Sequence, residues 1–165
     1  MSEAPAIRPI QPADAPAVHA MMDALNIFVG EEPLAQPPSV LAHYVESGRL
    51  WGFIAEIGST SAGYAIGYDG ITTDFLEPGA YMSDLYVTEA LRGTGIGRKL
   101  VDRFAAHAKS RGATHIWWTA IKSNADAHAA YMAMGATTEE MTAHALVQDT
   151  FEQAARRGAQ ETTSA

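Results

Sequence analysis

A glycine-rich turn stands between an apolar strand and a long helix in the stretch DLYVTEALRGTGIGRKLVDRF, which runs from Asp84 to Phe104. The predicted strand ends at Val87, and three glycines and two arginines surround the start of the helix. At a helix N-terminus four backbone amides have no intrahelical partner, and the helix dipole adds partial positive charge. The turn is therefore either a tight connection alone or a place where an anion binds.

The residues of this turn favour a phosphate-bearing ligand. Glycine lets a ligand approach the backbone without a Cβ atom in the way, and arginine adds charge-assisted hydrogen bonds. The dinucleotide motif GxGxxG would require glycine in place of Arg98, and a P-loop would require Lys and then Ser or Thr after Gly97. Neither spacing is met. What remains is Arg92-x-x-Gly95-x-Gly97 between strand and helix, for which a diphosphate is the natural ligand.

Composition is that of an ordinary globular domain. The chain has 165 residues, of which 47% are hydrophobic and 18% charged, and it has no cysteine, which excludes disulfides and cysteine nucleophiles. The net charge of -8 argues against nucleic-acid binding and favours a cationic small molecule as partner. The histidines show no metal-ligand spacing, no apolar run could span a bilayer, and the N-terminus lacks a signal-peptide pattern. We expect a cytoplasmic protein without metal, nucleic-acid or membrane partners.

Hydrophobic periodicity predicts a mixed α/β chain in which strands come first and then alternate with helices. The predicted strands are 6–10, 50–57, 62–68, 81–87, 114–120 and 141–147. The predicted helices end near residues 26, 48, 111, 135 and 157, and a longer loop covers 69–79. We expect a single domain over residues 1–157 and a flexible C-terminal tail over 158–165.

The stretch LYVTEALRGTGIGRKLVDRF resembles motif A of the GNAT family of N-acetyltransferases, in which this turn binds the pyrophosphate of acetyl-CoA. A second stretch, from Ser123 to Gly135, resembles the family's N-x-x-A-x-x-x-Y-x-x-x-G pattern. The resemblance covers most of the chain, from about Ile7 to Ala155. It implies the GNAT fold, which is a mixed, mostly antiparallel central sheet flanked by helices, with a splayed pair of fourth and fifth strands.

The same resemblance implies a set of site residues. Strand and turn would bind acetyl-CoA as co-substrate, Asn124 would meet it, and Tyr131 would lie beside the thioester sulfur as general acid. The cofactor-binding residues implied are Leu85, Tyr86, Val87, Arg92, Gly93, Thr94, Gly95, Ile96, Gly97, Arg98, Asn124 and Tyr131. By spacing alone, Asn124 is equally an ordinary N-cap and Tyr131 an ordinary core aromatic.

For the acetyl acceptor, the sequence is most similar to the diamine acetyltransferases, which act on spermidine, spermine and related amines. The similarity lies in Asp84-Leu85-Tyr86-Val87, in Glu31-Glu32 and in the stretch from Gly135 to Glu140. Ser83 departs from that branch, which usually has an acidic residue there. We expect Asp84 to hold the cationic amine and to act in catalysis, with Glu31 and Glu32 as further substrate-binding carboxylates.

Three alternatives stay open from the sequence. The same fold could acetylate another amine, such as a protein N-terminus, an amino acid or an antibiotic. The chain could instead be a non-catalytic sensor that binds CoA, or a nucleotide-binding α/β protein unrelated to acetyl transfer. A homodimer is expected because dimers are common in the family.

Overall fold

The computed structural model of the protein describes residues 4–74 and 76–163. The strands are β1 (Ala6–Pro9), β2 (Trp51–Ile57), β3 (Thr60–Thr72), β4 (Glu77–Val87) and β5 (His115–Trp117). The helices are α1 (Ala15–Val29), α2 (Pro38–Glu46), α3 (Ile96–Ser110), α4 (Ala125–Met134) and α5 (Gln148–Thr163). The chain divides into two compact units, Met1–Ala130 and Tyr131–Ala165. None of the helices described is both long and apolar enough to cross a bilayer.

The first unit is built on a five-stranded sheet whose strands lie in chain order. The first three neighbouring pairs are antiparallel, and β4 pairs with β5 in parallel. The parallel pairing joins Gly79–Tyr81 to His115–Trp117, and β4 continues beyond it to Val87. The predicted mixed, mostly antiparallel sheet flanked by helices is therefore confirmed.

One face of the sheet packs against α1 and α2. Helix α1 continues past the end predicted near Asn26 to Val29, and it stops where Gly30 takes a left-handed conformation with φ at +86°. The buried residues of this core are Ile10, Ala15, Val18, Met21, Leu41, Ile54, Tyr64 and Ile66. Tyr86 of β4 packs against the same cluster, so the inward side chains of β2, β3 and β4 meet the two helices on this face.

The opposite face packs against α3. Phe104 is fully buried and stacks on Trp51 with 4.2 Å between ring centroids. The helix approaches the sheet closely at Gly67, where a Cβ atom would lie 1.9 Å from the carbonyl oxygen of Tyr81 and 2.9 Å from Phe104. The ladder between β3 and β4 shifts register beside Gly67, so the missing side chain permits both the irregularity and the close packing.

Two strand predictions were wrong in extent. The loop predicted over 69–79 is mostly hairpin, because β3 and β4 remain paired out to Thr72 and Glu77. Glycine lowers strand propensity, but Gly70 and Gly79 pair directly and the ring of Trp117 lies against both. The fifth strand is shorter than predicted and covers His115–Trp117 alone.

The second unit contains the end of α4, an irregular segment and α5. The strand predicted over 141–147 is absent from the part of the chain that the structure describes. Met141 is 78% exposed and Leu146 61% exposed, so burial does not stabilise an extended pairing there. The last helix was expected to end near Arg157, with a tail from 158, but α5 continues to Thr163. The single-domain organisation stays a prediction.

Replacement of Phe104 by alanine should lower the free energy of unfolding of the protein by about 3–5 kcal/mol, because it leaves a cavity beside Trp51. Urea unfolding followed by circular dichroism measures this change. The matched control is Phe151→Ala on α5, where the ring is 56% exposed and the expected change is below about 0.5 kcal/mol. Equal effects of the two substitutions would contradict the assigned core.

Candidate active site

The turn between β4 and α3 is fixed by short hydrogen bonds. The amide of Thr88 donates to the carbonyl oxygen of Ala62 at 3.0 Å, which ties the end of β4 to β3. A single 3₁₀ turn follows over Glu89–Leu91. The hydroxyl of Thr94 then donates to the carbonyl oxygen of Leu91 at 2.6 Å. These bonds give the backbone between strand and helix a defined course without a ligand.

Helix α3 begins directly after Gly95, which has φ at +86°. No side-chain hydrogen bond caps this helix start among the described residues, and the amide of Lys99 is the first to bond back, to Gly95 at 3.1 Å. Gly93 also has positive φ, at +75°, and a Cβ atom at either glycine would meet open space. The backbone amides at the helix start are therefore accessible to an anion such as a diphosphate.

Arg92 is anchored beside the strand end. Its Nε donates to the carbonyl oxygen of Val87 at 3.2 Å. Its guanidinium carbon lies 4.6 Å from the ring centroid of Phe28 and 5.8 Å from that of Tyr86. Cation–π contacts and the hydrogen bond together hold a positive charge next to the turn. Sequence reasoning missed Phe28, since nothing in the sequence shows that the end of α1 reaches Arg92.

The last residues of β4 alternate between the two faces of the sheet, as predicted. Tyr86 packs against the cluster formed with α1 and α2. Val87 faces α3, where its Cγ2 lies 3.6 Å from the Cβ position built on Gly97. The strand therefore connects the turn on one face with the aromatic cluster on the other.

Asp84 is half-buried on the same face as Tyr86 and has a partner that sequence reasoning missed. The hydroxyl of Tyr64 on β3 donates to Oδ2 of Asp84 at 3.1 Å. Burial raises the pKa of Asp84 above its ordinary value, and the hydrogen bond from Tyr64 acts in the opposite direction. An aspartate whose pKa is raised in this way binds a proton more readily than an exposed one, which suits a carboxylate that receives a proton from an amine.

Asn124 lies in an open groove of about 290 Å³ at the start of α4. Its Oδ1 accepts a hydrogen bond from the amide of Ala127 at 3.2 Å, so the side chain has the N-cap contact that its spacing allowed. The groove is lined by Phe28, Ile121, Ser123, Asn124, Ala125 and Asp126. Phe28 also contacts Arg92, so this ring borders both the groove and the arginine at the start of the turn.

Three further predicted site residues, Glu31, Glu32 and Arg98, are exposed on the surface. Glu31 and Glu32 are exposed in the segment after α1, where the amide of Glu31 donates to Asn26 and the side chain of Asn26 donates to the carbonyl oxygen of Glu32. Arg98 is an exposed neighbour of Asp102, with 4.0 Å between Nε and Oδ2.

Tyr131 lies in the second unit. Its side chain is half-buried, and burial raises the pKa of its phenol. A phenol whose pKa is raised in this way stays protonated near neutral pH and can donate a proton. Within residues 4–74 and 76–163 no cluster of histidine and acidic side chains is arranged to hold a metal ion.

Comparison with known proteins identifies the family to which the chain belongs. Residues 18–136 match the family described as the acetyltransferase (GNAT) family. A D-amino-acid N-acetyltransferase of Saccharomyces cerevisiae is 28% identical over 144 residues, which are 82% of this chain and 86% of that protein. The resemblance stated from the sequence is thereby confirmed for the family. The similarity to the diamine branch gains no specific support and stays a prediction.

Solved structures show the same fold. An aminoglycoside acetyltransferase from an uncultured soil metagenomic sample, solved with trehalose, matches with a TM-score of 0.74 and 21% identity over 87% of this chain and 95% of its own. A ribosomal-protein-alanine N-acetyltransferase from Brucella melitensis biovar Abortus matches with a TM-score of 0.67 and 18% identity, covering 88% of this chain and all of that one. The sheet described above is therefore that of the GNAT fold.

Gly95→Ala and Gly97→Ala should affect stability differently, although both sit at the same helix start. Alanine at 95 must adopt a left-handed conformation and should lower the free energy of unfolding by about 1–2 kcal/mol. Alanine at 97 enters an ordinary helical position with a normal contact to Val87 and should not destabilise the protein. Urea unfolding of both variants tests this. Equal losses would contradict the described turn.

Proposed function

Because the chain belongs to the GNAT family of acetyltransferases, we propose that it transfers the acetyl group of acetyl-CoA to the primary amine of a small, cationic acceptor. Family membership makes the chain an N-acetyltransferase. The observation that carries the proposal is the open helix start at Gly95, which a single turn segment connects to the strand that bears Asp84. In this proposal the phosphate site lies in the turn that follows β4, and the carboxylate lies on β4 itself.

On the cofactor side, the backbone of the turn would hold the diphosphate of CoA. The amides from Gly93 to Gly97 and the partial positive charge of α3 supply the attraction, and Arg92 and Arg98 add full charges. Local positive charge matters because the protein as a whole has a net charge of -8. Backbone groups of Leu85, Tyr86 and Val87 would contact the pantetheine arm and the acetyl group, and Asn124 would add a side-chain contact.

On the acceptor side, Asp84 would bind the amine and take its proton. An aliphatic amine has a pKa near 10.4 and is an ammonium at neutral pH, whereas attack on a thioester requires the neutral form. The half-buried carboxylate of Asp84 can pair with the ammonium and, with its raised pKa, can accept the proton as the nitrogen attacks. The carbon–nitrogen bond forms as the carbon–sulfur bond breaks.

For the leaving group, Tyr131 would return a proton to the CoA thiolate. Burial raises the pKa of its phenol, so the hydroxyl is protonated at neutral pH and available as a donor. Its assignment rests on the match of Asn124 and Tyr131 to the family pattern. No covalent intermediate on the protein is needed in this scheme, in keeping with the lack of cysteine.

Two acceptor classes are compatible with these residues. A diamine or polyamine is supported by Asp84 and by the exposed carboxylates of Glu31 and Glu32, which could meet a distal ammonium. A D-amino acid is supported by the named activity of the yeast relative. The alternatives left open by the sequence, an antibiotic or a protein N-terminus, belong to the same reaction type. A homodimer and a cytoplasmic location also stay predictions.

Thiol release from acetyl-CoA should increase on addition of at least one amine from a panel of spermidine, D-amino acids, an aminoglycoside and a peptide N-terminus. Asp84→Asn should lower kcat/KM for that amine at least about tenfold, the equivalent of 1.4 kcal/mol, if the carboxylate pairs with the ammonium or takes its proton. Tight acetyl-CoA binding without turnover of any amine would instead favour the sensor function.

Tyr131→Phe should lower kcat about a hundredfold while leaving the affinity for acetyl-CoA within about twofold, because loss of a general acid affects the chemical step. Steady-state kinetics and calorimetry on the same variant separate the two quantities. The control variant is Gly97→Ala. A Cβ atom at the glycine turn should weaken CoA binding, while the proton donor Tyr131 is unchanged. Unchanged kcat in Tyr131→Phe would remove Tyr131 from the mechanism.

A further inference from the structure

Tyr64 is a buried phenol that the proposed reaction does not use directly. Its side chain is fully buried in β3, within the core formed with α1 and α2. Its hydroxyl is the recorded hydrogen-bond donor to Oδ2 of Asp84, at 3.1 Å. In the register of β3 and β4, Tyr64 lies opposite Tyr86 and Asp84 lies opposite Ile66. The two bonded side chains are therefore diagonal neighbours on one face of the sheet.

A buried hydroxyl needs a partner, and here the partner is the candidate acceptor-binding carboxylate. A buried polar group without a hydrogen-bond partner destabilises the fold. The apolar side chains that α1 and α2 contribute to this cluster are Ala15, Val18, Met21, Met22, Leu41, Ala42 and Val45. The hydroxyl of Tyr64 donates instead to Asp84. Tyr64 therefore directs its hydroxyl at β4, and Asp84 is held in the orientation that receives it.

We propose that Tyr64 is a positioning residue, whose hydrogen bond fixes the carboxylate of Asp84 for the acceptor amine. With Oδ2 engaged by the phenol, Oδ1 is the oxygen that pairs with the ammonium and receives its proton. This inference rests on the proposed role of Asp84 in acetyl transfer. A buried residue of β3 would thus orient the carboxylate, which neither the turn nor the cofactor-binding residues do.

The electrostatics of the pair support this role. Burial raises the pKa of Asp84, and the hydrogen bond from Tyr64 lowers it, so the phenol keeps more of the carboxylate in the ionised form that accepts a proton. Burial and the charge of Asp84 raise the pKa of Tyr64 far above its ordinary value, so the phenol remains a donor throughout the working pH range. Two further ionisable side chains lie near the pair: Tyr86 packs against the same cluster, and the guanidinium carbon of Arg92 lies 5.8 Å from the ring centroid of Tyr86.

Tyr64→Phe should move the acid limb of the kcat/KM profile to higher pH. Without the donor, the ionised form of Asp84 is less stable and its pKa rises, so the active form is present only at higher pH. We expect an upward shift of about one to two units, since a hydrogen bond to a charged group stabilises its ionised form. The rate at the alkaline plateau should fall much less than the rate at pH 6.

The matched control is Tyr68→Phe, which removes the same hydroxyl group from the same strand. Tyr68 is 43% exposed, and no hydrogen bond recorded for the described residues uses its hydroxyl. The acid limb of the kcat/KM profile of Tyr68→Phe should coincide with that of the unmodified protein. A general loss of stability would lower the rate at every pH without moving the limb, so the profile distinguishes positioning from a merely structural effect.

Carbon-13 NMR of the aspartate carboxyl groups tests the pair without reference to turnover. The signal of Asp84, assigned by its loss in Asp84→Asn, should titrate at higher pH in Tyr64→Phe. An unchanged midpoint would overturn the positioning role while leaving Asp84 in the mechanism. A raised midpoint with an unmoved kinetic limb would show that Asp84 is not the group that titrates in the reaction, which overturns its proposed role and this inference with it.

A measurement on unmutated Tyr64 keeps the proposal testable if Tyr64→Phe does not fold. In protein labelled at the tyrosine Cζ carbon, the Tyr64 signal should shift with a midpoint equal to that of the Asp84 carboxyl group. The shift should vanish in Asp84→Asn. A Tyr64 signal that ignores the ionisation of Asp84 would overturn the inference.

Discussion

The antiparallel pairing of β3 with β4 is the interaction on which the site depends. Because side chains alternate along a strand, a slip of one residue would exchange the two faces of β4. The observed register places Asp84 and Tyr86 over α1 and α2, and it leaves Val87 against α3. The same pairing ends with the bond from Thr88 to Ala62, which sets the starting point of the glycine turn.

The parts that the sequence predicted are those that local rules determine. A strand, a glycine turn and an amphipathic helix follow one another within 84–104, so the positive φ of Gly95 and the uncapped start of α3 are consequences of neighbouring residues. The alternation of Leu85 and Val87 against Asp84 and Tyr86 is equally local. The family resemblance added the fold and the neighbouring fourth and fifth strands, which periodicity alone leaves open.

The parts that the sequence did not predict depend on contacts between distant residues. Tyr64 lies in an apolar strand, and its partner is known only once β3 and β4 are in register. Phe28 is another case, since its contact with Arg92 requires the end of α1 to reach the turn. The opposite error occurred at 141–147, where apolar residues suggested a strand although no partner strand exists among the described residues.

The stacking of Trp51 on Phe104 has an optical consequence. All three tryptophans, at 51, 117 and 118, belong to Met1–Ala130, and the indole of Trp51 also donates to Asp69. Tryptophan emission is thus a spectroscopic signal from residues within Met1–Ala130, whereas far-ultraviolet ellipticity sums over every helix. Where the two signals melt at different temperatures, the chain is not a single cooperative unit.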